Sequence, residues 1–367
     1  MFDAIDHAMM ARAIHLAELG RCIATPNPFV GCVIVKQGRI IGEGFTQKGG
    51  RPHAEAVALE NCVTAPQGAT VYSTLEPCCL HPKSRGPACS DLLISAKVAR
   101  VVSAVHDPFE GVDGCGHSRL HDAGIKVETG LMEAVVRQQL RAFLARVTRR
   151  RPWLTLKVAT SLDGKTALAN GRSKWITGAE ARRDVHRMRA EACAVMTGIG
   201  TLMADDPQLN VRDVACERQP LRILLDSRLD VADNARLLEG GNVLLVTAAQ
   251  NEARENQLTA RGVEVVRVPI EQVKGKVDLV KMMEMLGARG LNYVMVETGA
   301  KLNGSLLAAG VVDEIVAYVA PSILGDPARG VFALPEFTEL HDRTELNITD
   351  VRQIGADLRI TAAVREK

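Results

Sequence analysis

Along residues 3–19 apolar side chains recur at Ile5, Met9, Ala13 and Leu16, a spacing that lines one face of a helix, and Gly20 supplies a stop. The period then shortens. The stretch NPFVGCVIVKQGRIIGEGF predicts two strands, over 30–36 and 40–45, joined by a Gln-Gly turn. HAEAVALENC returns to helical spacing, GATVYSTL reads as a strand, a helix follows near 89–96, and ARVVSAV is another strand. A last helix from 131 to about 147 ends at TRRRP. Strand and helix alternate throughout, the pattern of a layered α/β domain.

At Arg149-Arg150-Arg151-Pro152 the pattern restarts. No wider basic field surrounds these arginines, so they read as a solvated linker rather than a phosphate or nucleic-acid patch. PWLTLKVAT opens a second series, with strands over 154–159, 194–197, 221–226, 242–246, 264–268, 293–297 and 311–319, then near 345–352 and 357–363. Helices are expected over 178–192, 251–261, 277–288 and 302–309. Two α/β domains result, residues 1–148 and 149–367, without repeats or low-complexity tracts.

Composition narrows the function classes. Aromatic residues make up only 3% of the 367, so the cores must be built from Val, Leu, Ile, Ala and Met. A formal net charge of +2 argues against a nucleic-acid or membrane partner. Nine cysteines, an odd number over a long chain, do not form a disulfide framework and point to a reducing compartment. Asp3, Asp6 and His7 stand where a signal peptide would be basic, and no long apolar run follows. A cytoplasmic protein is expected.

The chemistry is concentrated in TLEPCCLHPKSRGPACSD, which holds Cys78, Cys79 and Cys89, and in PHAEA, which holds His53 and Glu55. H-x-E followed by P-C-x-x-C is the signature of zinc nucleobase deaminases, with the Glu as acid/base rather than ligand. Here Pro77-Cys78 fits, and the second cysteine is delayed to Cys89, with ten residues between. One imidazole and two thiolates leave a fourth tetrahedral position open for water, whose pKa zinc lowers from about 15.7 to about 7. A carboxylate off the metal, Glu55, then carries the proton towards a ring nitrogen and the leaving ammonia. Cys79 is the runner-up ligand, its side chain directed differently from that of Cys78. Cys22, Cys32, Cys62, Cys115, Cys193 and Cys216, and His7, His15, His106, His117, His121, His186 and His341, read as ordinary core or surface residues.

The second half has no complete G-x-G-x-x-G. Gly198 and Gly200, and Gly299 and Gly304, each follow a predicted strand and precede a helix, where backbone N–H groups can receive a phosphate. Such glycines are as often plain strand-to-helix turns.

Taken together, TPNPFVGCVIV, PHAEA, TLEPC…PAC, LKVATSLDGKTA, SKWITG and ADDPQLNVR, in this order over nearly the whole chain, resemble the bifunctional riboflavin-biosynthesis deaminase/reductase (RibD) family. The resemblance implies a cytidine-deaminase-like α/β/α domain followed by a dihydrofolate-reductase-like α/β domain. It implies one zinc ion per chain, NADPH, small phosphoribosyl pyrimidine substrates and a homo-oligomer. The implied reactions are hydrolytic deamination of diaminohydroxyphosphoribosylaminopyrimidine, then reduction of the ribosyl chain of 5-amino-6-(5-phosphoribosylamino)uracil to ribityl.

Position by position, the resemblance makes His53, Cys78 and Cys89 zinc ligands, Glu55 the proton shuttle and Asn27 a contact to the pyrimidine. A His and a basic residue of the cysteine loop meet the substrate phosphate; because this loop is longer than the family's, His81 with Lys83 or Arg85 are the candidates. Ala159, Trp175, Thr177, Thr201, Asp205, Ser227 and the run Gly299, Ala300, Lys301, Leu302, Asn303, Gly304 and Ser305 correspond to dinucleotide contacts. Ser173, Arg189, Leu209, Arg212 and Glu297 correspond to substrate contacts, with Lys157 in the same pocket. Arg189 and Arg212 suit a ribose phosphate; Asp205 or Glu297, with Lys157, would assist proton transfer. A tRNA or nucleobase deaminase with an unrelated second domain would instead carry a short P-C-x-x-C and a basic surface, and a catalytically inactive nucleotide-binding protein would hold no zinc.

Overall fold

The first helical repeat forms α1 (Ala4–Gly20) in a computed structural model that describes residues 2–79, 86–268, 270–271 and 276–365. Asp3 caps this helix in a capping box with Asp6, satisfying backbone donors that a helix start leaves open. The chain divides into two compact units, Met1–Arg150 and Arg151–Lys367.

In the first unit, β1 (Gly31–Lys36) and β2 (Arg39–Phe45) form an antiparallel hairpin. Its turn places Gln37 and Gly38 at φ 51° and 73°, the pair of positive values that suits the twist of flanking strands. Next come α2 (Ala54–Glu60), β3 (Thr70–Leu75), α3 (Cys89–Ser95), β4 (Arg100–Val105), α4 (Cys115–Asp122), β5 (Lys126–Thr129), α5 (Glu133–Gln139) and α6 (Arg141–Arg149). The sheet order is β2-β1-β3-β4-β5, with β3, β4 and β5 parallel. Its core is aliphatic, built around Val33, Ile34, Val71, Leu93, Val101 and Leu120, as the shortage of rings requires. Helix α2 lies very close to β2: a Cβ on Gly44 would sit 2.4 Å from the Ala54 carbonyl oxygen, so only glycine admits this approach.

Three details depart from the sequence expectation. The helix expected over 131–147 is two helices, broken at Leu140, which leaves helical geometry at φ −93°, ψ 10°. Elements α4 and β5 had no counterpart in the sequence reading. Arg151 is not solvated linker: its guanidinium makes two 2.8 Å bonds to the Asp313 carboxylate within the second unit.

The second unit runs β6 (Trp153–Ser161), β7 (Lys165–Ala167), α7 (Ala179–Glu191), β8 (Ala194–Gly198), α8 (Ile199–Asp205), β9 (Leu221–Leu225), β10 (Val243–Thr247), α9 (Glu252–Ala260) and β11 (Val263–Arg267). There follow β12 (Ile270–Glu271), β13 (Lys276–Val277), α10 (Leu279–Ala288), β14 (Tyr293–Val296), α11 (Ala300–Ala308), β15 (Glu314–Ala320), β16 (Arg329–Gly330), β17 (Leu346–Ile354) and β18 (Asp357–Val364). The main sheet has the order β11-β10-β9-β8-β14-β6-β15-β18-β17. It is parallel from β11 to β15 and antiparallel over the last two strands. The chain runs outward from β8 to β11, then returns to insert β14 between β8 and β6. Carboxyl ends of strands at such a reversal form a crevice for ligands. Among the described residues no helix is long and apolar enough to cross a membrane.

Candidate active sites

Three elements of the first unit converge on one donor set. His53 is the N-cap of α2, Cys78 lies three residues past β3, and Cys89 opens α3. The His53 Nδ1 lies 3.5 Å from the Cys78 Sγ and 3.4 Å from the Cys89 Sγ. All three donor atoms lie within 4.8 Å of one another. One imidazole nitrogen and two sulfurs brought this close match the donor set of a catalytic zinc, so these residues fit the ion the signature implies. The sulfurs share a proton unequally. Hydrogen bonding from Cys89 and, against the pull of burial, contact with His53 hold the Cys78 thiol down to about 4. The same bond and burial push the Cys89 thiol up. For His53, burial alone would lower the pKa, but the Cys78 thiolate outweighs it and the net shift is upward.

Glu55, in the first turn of α2, is 3% exposed and accepts a 3.1 Å hydrogen bond from the Ser73 hydroxyl on β3. Burial raises its pKa, and the Cys78 charge adds to this, against the opposing effect of His53. Asn27 is half-buried and donates from Nδ2 to the Gly50 carbonyl at 3.1 Å, in the loop that precedes His53. His81, Lys83 and Arg85 lie outside the described residues.

A residue that sequence reading passed over organises this end of the sheet. Glu76, buried immediately before Pro77-Cys78, accepts from the backbone N–H groups of Asp107 (3.2 Å), Gly114 (3.3 Å), Gly116 (3.0 Å) and His117 (3.2 Å). His106 Nδ1 adds a 2.9 Å contact. Its place directly ahead of the metal-type Pro-Cys was the only signal. Helix α4 therefore starts against the Cys78 segment, and a Cβ on Gly116 would fall 1.8 Å from the Pro77 carbonyl oxygen. The same closeness corrects the reading of Cys79 as runner-up ligand and of Cys115 as an ordinary core or surface residue: the two form a disulfide, Cα–Cα 5.8 Å. His106 and His117 likewise belong to the Glu76 cluster rather than to plain surface.

In the second unit a cleft of about 2000 Å³ opens along the carboxyl ends of β6, β8, β9 and β14. It is lined by Lys157, Ala159, Ser173, Trp175, Thr177, Arg189, Thr201, Asp205, Leu209, Arg212, Ser227, Glu297 and the run from Gly299 to Ser305. Sequence positions spread over nearly 150 residues are thus brought into one place.

Several features shape it. The Thr201 hydroxyl accepts from the Gly299 N–H at 3.1 Å and lies 3.2 Å from the Thr298 hydroxyl, tying the turn after β8 to the turn after β14. Asp226 accepts from the Val231 and Arg228 N–H groups, fixing the turn that carries Ser227. Trp175 is 71% exposed, with the Arg182 guanidinium stacked 4.6 Å from its ring centre. An apolar face, two glycine turns leading into helices and the size of the cleft fit a dinucleotide beside a small substrate.

Arg189 and Glu297 form a buried pair, Nε to Oε1 2.5 Å and Nη2 to Oε2 3.0 Å, and Lys157 Nζ lies 3.8 Å from Oε2. Burial alone would raise the Glu297 carboxyl, but Arg189 and Lys157 hold it down to about 2. Burial lowers the Lys157 ammonium against the pull of Glu297. Arg189 also donates to the Asn210 carbonyl at 2.9 Å, whereas Arg212 is exposed and donates to Gln208 and Asn210 side chains at its rim. Asp205 faces Lys174, Oδ1 to Nζ 3.7 Å.

Both halves of the chain match known proteins. Residues 3–105 match the cytidine and deoxycytidylate deaminase zinc-binding region, and residues 152–360 match the RibD C-terminal domain. The chain is 42% identical over 365 residues to the riboflavin biosynthesis protein RibD of Escherichia coli (strain K12), covering 96% of this chain and 98% of that protein. It is 40% identical over 328 residues to its counterpart in Aquifex aeolicus (strain VF5), covering 89% of this chain and 90% of that protein. Among solved structures, Acinetobacter baumannii RibD superposes with a TM-score of 0.90 at 38% identity, over 99% of both chains. A diaminohydroxyphosphoribosylaminopyrimidine deaminase/5-amino-6-(5-phosphoribosylamino)uracil reductase from Thermotoga maritima gives 0.85 at 31% identity, over 98% of this chain and 99% of that one. Two α/β units, the first gathering the metal donor set of its motifs and the second opening a cleft along its strand ends, and likeness along the full length lead to one conclusion: the chain belongs to the RibD family of bifunctional riboflavin-biosynthesis deaminase/reductases.

Proposed function

We propose that the first unit removes an amino group from diaminohydroxyphosphoribosylaminopyrimidine and that the second reduces the ribosyl chain of the resulting aminouracil to ribityl. The observation that carries the reading is the convergence of His53, Cys78 and Cys89 beside buried Glu55. The relative from Thermotoga maritima, which is named for these two substrates, supports their choice.

His53 Nδ1, Cys78 Sγ and Cys89 Sγ would hold the metal, one zinc ion per chain, which when bound would make a water acidic enough to attack at neutral pH. Glu55 does the proton work: its buried carboxylate takes one proton from the attacking water and passes it to the ring nitrogen, then takes the second from the hydroxyl so added and delivers it to the departing amine. Its raised pKa suits a group that must both take and give. The Ser73 hydroxyl fixes the orientation of Oε1. Asn27 binds the pyrimidine edge, and the loop holding His81, Lys83 and Arg85 meets the phosphate.

In the second unit Thr201, Ser227 and the Gly299–Ser305 turn would hold NADPH, which when bound would supply the hydride for the sugar's carbonyl or imine carbon. Glu297, held at about 2, is ionised at neutral pH and has no proton to give; it positions Arg189 and Lys157. Lys157 Nζ is the proton source. Arg212, exposed at the rim, meets the substrate phosphate, because the Arg189 donors are engaged by Glu297 and Asn210. Oligomeric assembly and a cytoplasmic location follow from the family reading.

The test is mass spectrometry of the diaminopyrimidine substrate after incubation with wild type and Glu55→Gln, with and without NADPH. Wild type converts amino to oxo without cofactor and adds two hydrogens with it. Glu55→Gln loses the first step, by about 10²–10⁴-fold as expected for a proton shuttle, while still reducing supplied aminouracil. Unchanged deamination in this variant would refute the role of Glu55.

A further inference from the structure

We propose that Cys79 and Cys115 form a reversible thiol–disulfide pair that governs how firmly the first unit holds its metal; this rests on the reading of Cys78 and Cys89 as zinc ligands. Cys79 follows Cys78 directly, and Cys115 is the first residue of α4. The two lie 36 residues apart in sequence, yet their Cα atoms are 5.8 Å apart and their sulfurs are bonded. The bridge spans the same two segments that Glu76 joins by hydrogen bonds to Gly114, Gly116 and His117. Segment 76–79, which carries Cys78, is therefore tied to the start of α4 twice: non-covalently one residue before Pro77 and covalently one residue after Cys78. Opening the bridge leaves only the first tie.

The two cysteines differ in access. Cys79 is 4% exposed, whereas Cys115 is exposed. A small thiolate therefore attacks the Cys115 sulfur, forming a mixed disulfide there and releasing Cys79 as a thiolate. A second small thiol attacks the mixed disulfide, frees Cys115, and leaves as the small-molecule disulfide. Closure is the reverse with a low-molecular-weight disulfide such as glutathione disulfide as oxidant. Cys115 takes the mixed disulfide, buried Cys79 displaces the second small thiol, and two protein thiols are oxidised as one disulfide is reduced to two thiols. In a reducing compartment the pair opens, and under oxidative load it closes.

The experiment uses the full-length, zinc-loaded chain, equilibrated with either reduced glutathione or glutathione disulfide. Three readouts are taken: peptide mapping of the bridge, total zinc, and the rate of zinc transfer to a chromogenic chelator. The proposal expects a Cys79–Cys115 cross-linked peptide only in the oxidised sample. It expects zinc transfer about tenfold faster in the reduced one, the low end of the 10–100-fold loss seen when an outer partner of a metal ligand is removed. Cys115→Ser should transfer zinc at the fast rate in both buffers while NADPH-dependent reduction, carried by the other unit, is unaltered. Absence of the cross-link in the oxidised sample, or equal transfer rates in bridged and open protein, would overturn the proposal. Absence of zinc from both samples despite a mapped bridge would instead overturn the zinc-site reading, and the proposed effect with it.

Discussion

Replacing Glu297 with Gln removes a carboxylate that faces both Arg189 and Lys157. The depression of its pKa from 4.5 to about 2 measures how strongly the folded state prefers the ionised form. Two and a half units at about 1.36 kcal/mol each come to about 3 kcal/mol. That is the low end of the roughly 3–5 kcal/mol expected when one partner of a buried ion pair is removed. For a unit of this size the corresponding fall in melting temperature is about 6–12 °C. Both tryptophans, Trp153 and Trp175, lie in the second unit, so tryptophan fluorescence follows its unfolding selectively. The pH dependence has a definite sign. A carboxyl whose pKa is depressed on folding stabilises fully above the unfolded value, and that stability is lost as pH falls through the folded one. The advantage of wild type over Glu297→Gln should be constant above pH 5 and fade between about pH 4.5 and pH 2. A variant within about 0.5 kcal/mol of wild type at pH 7, the range of an ordinary surface change, would refute the argument that this pair is a strong buried contact.

Other outcomes can be stated more briefly. Cys89→Ser should lose stoichiometric zinc by metal analysis while the chain still oxidises NADPH with supplied aminouracil; full zinc retention would refute Cys89 as a ligand. Gly116→Ala forces a Cβ onto the Pro77 carbonyl and should abolish deamination with little effect on reduction, assayed side by side. Thr201→Val breaks the 3.1 Å bond to the Gly299 N–H, a loss of about 1 kcal/mol that should raise the KM for NADPH about fivefold without changing kcat. An unaltered KM would mean that the two turns hold their positions without that tie.

Where a signal is local, the sequence carries it. Short runs rich in β-branched and apolar residues become β1, β2, β3 and β4, and the seven parallel strands of the second sheet fall on the apolar runs read from the chain. Helix α4 escaped because CGHSRLHD buries only Gly116 and Leu120, too few positions to make a period. Leu140 breaks a continuous helical pattern without glycine or proline to mark it. His53, Glu55 and Cys78 are legible because metal chemistry restricts residue type at short spacing. The Arg189–Glu297 pair is not, since 108 residues separate partners whose types are common on any surface. Cys79 and Cys115 look unpaired for the same reason: what brings them together is a carboxylate bound to main-chain N–H groups, and main-chain groups leave no mark on residue identity.

That last property of Glu76 bears on how this part of the molecule can change over time. Its four backbone partners hold the course of the chain from Asp107 to His117 whatever side chains that stretch carries. Substitutions there can accumulate without unfastening the segment, except for loss of Cys115 and its bridge, a proline that deletes a donor, or a side chain at Gly116 that finds no room. One fixed acid on the strand side thus leaves the facing loop free to drift in composition, and new side chains can be tried beside a catalytic centre whose scaffold does not move.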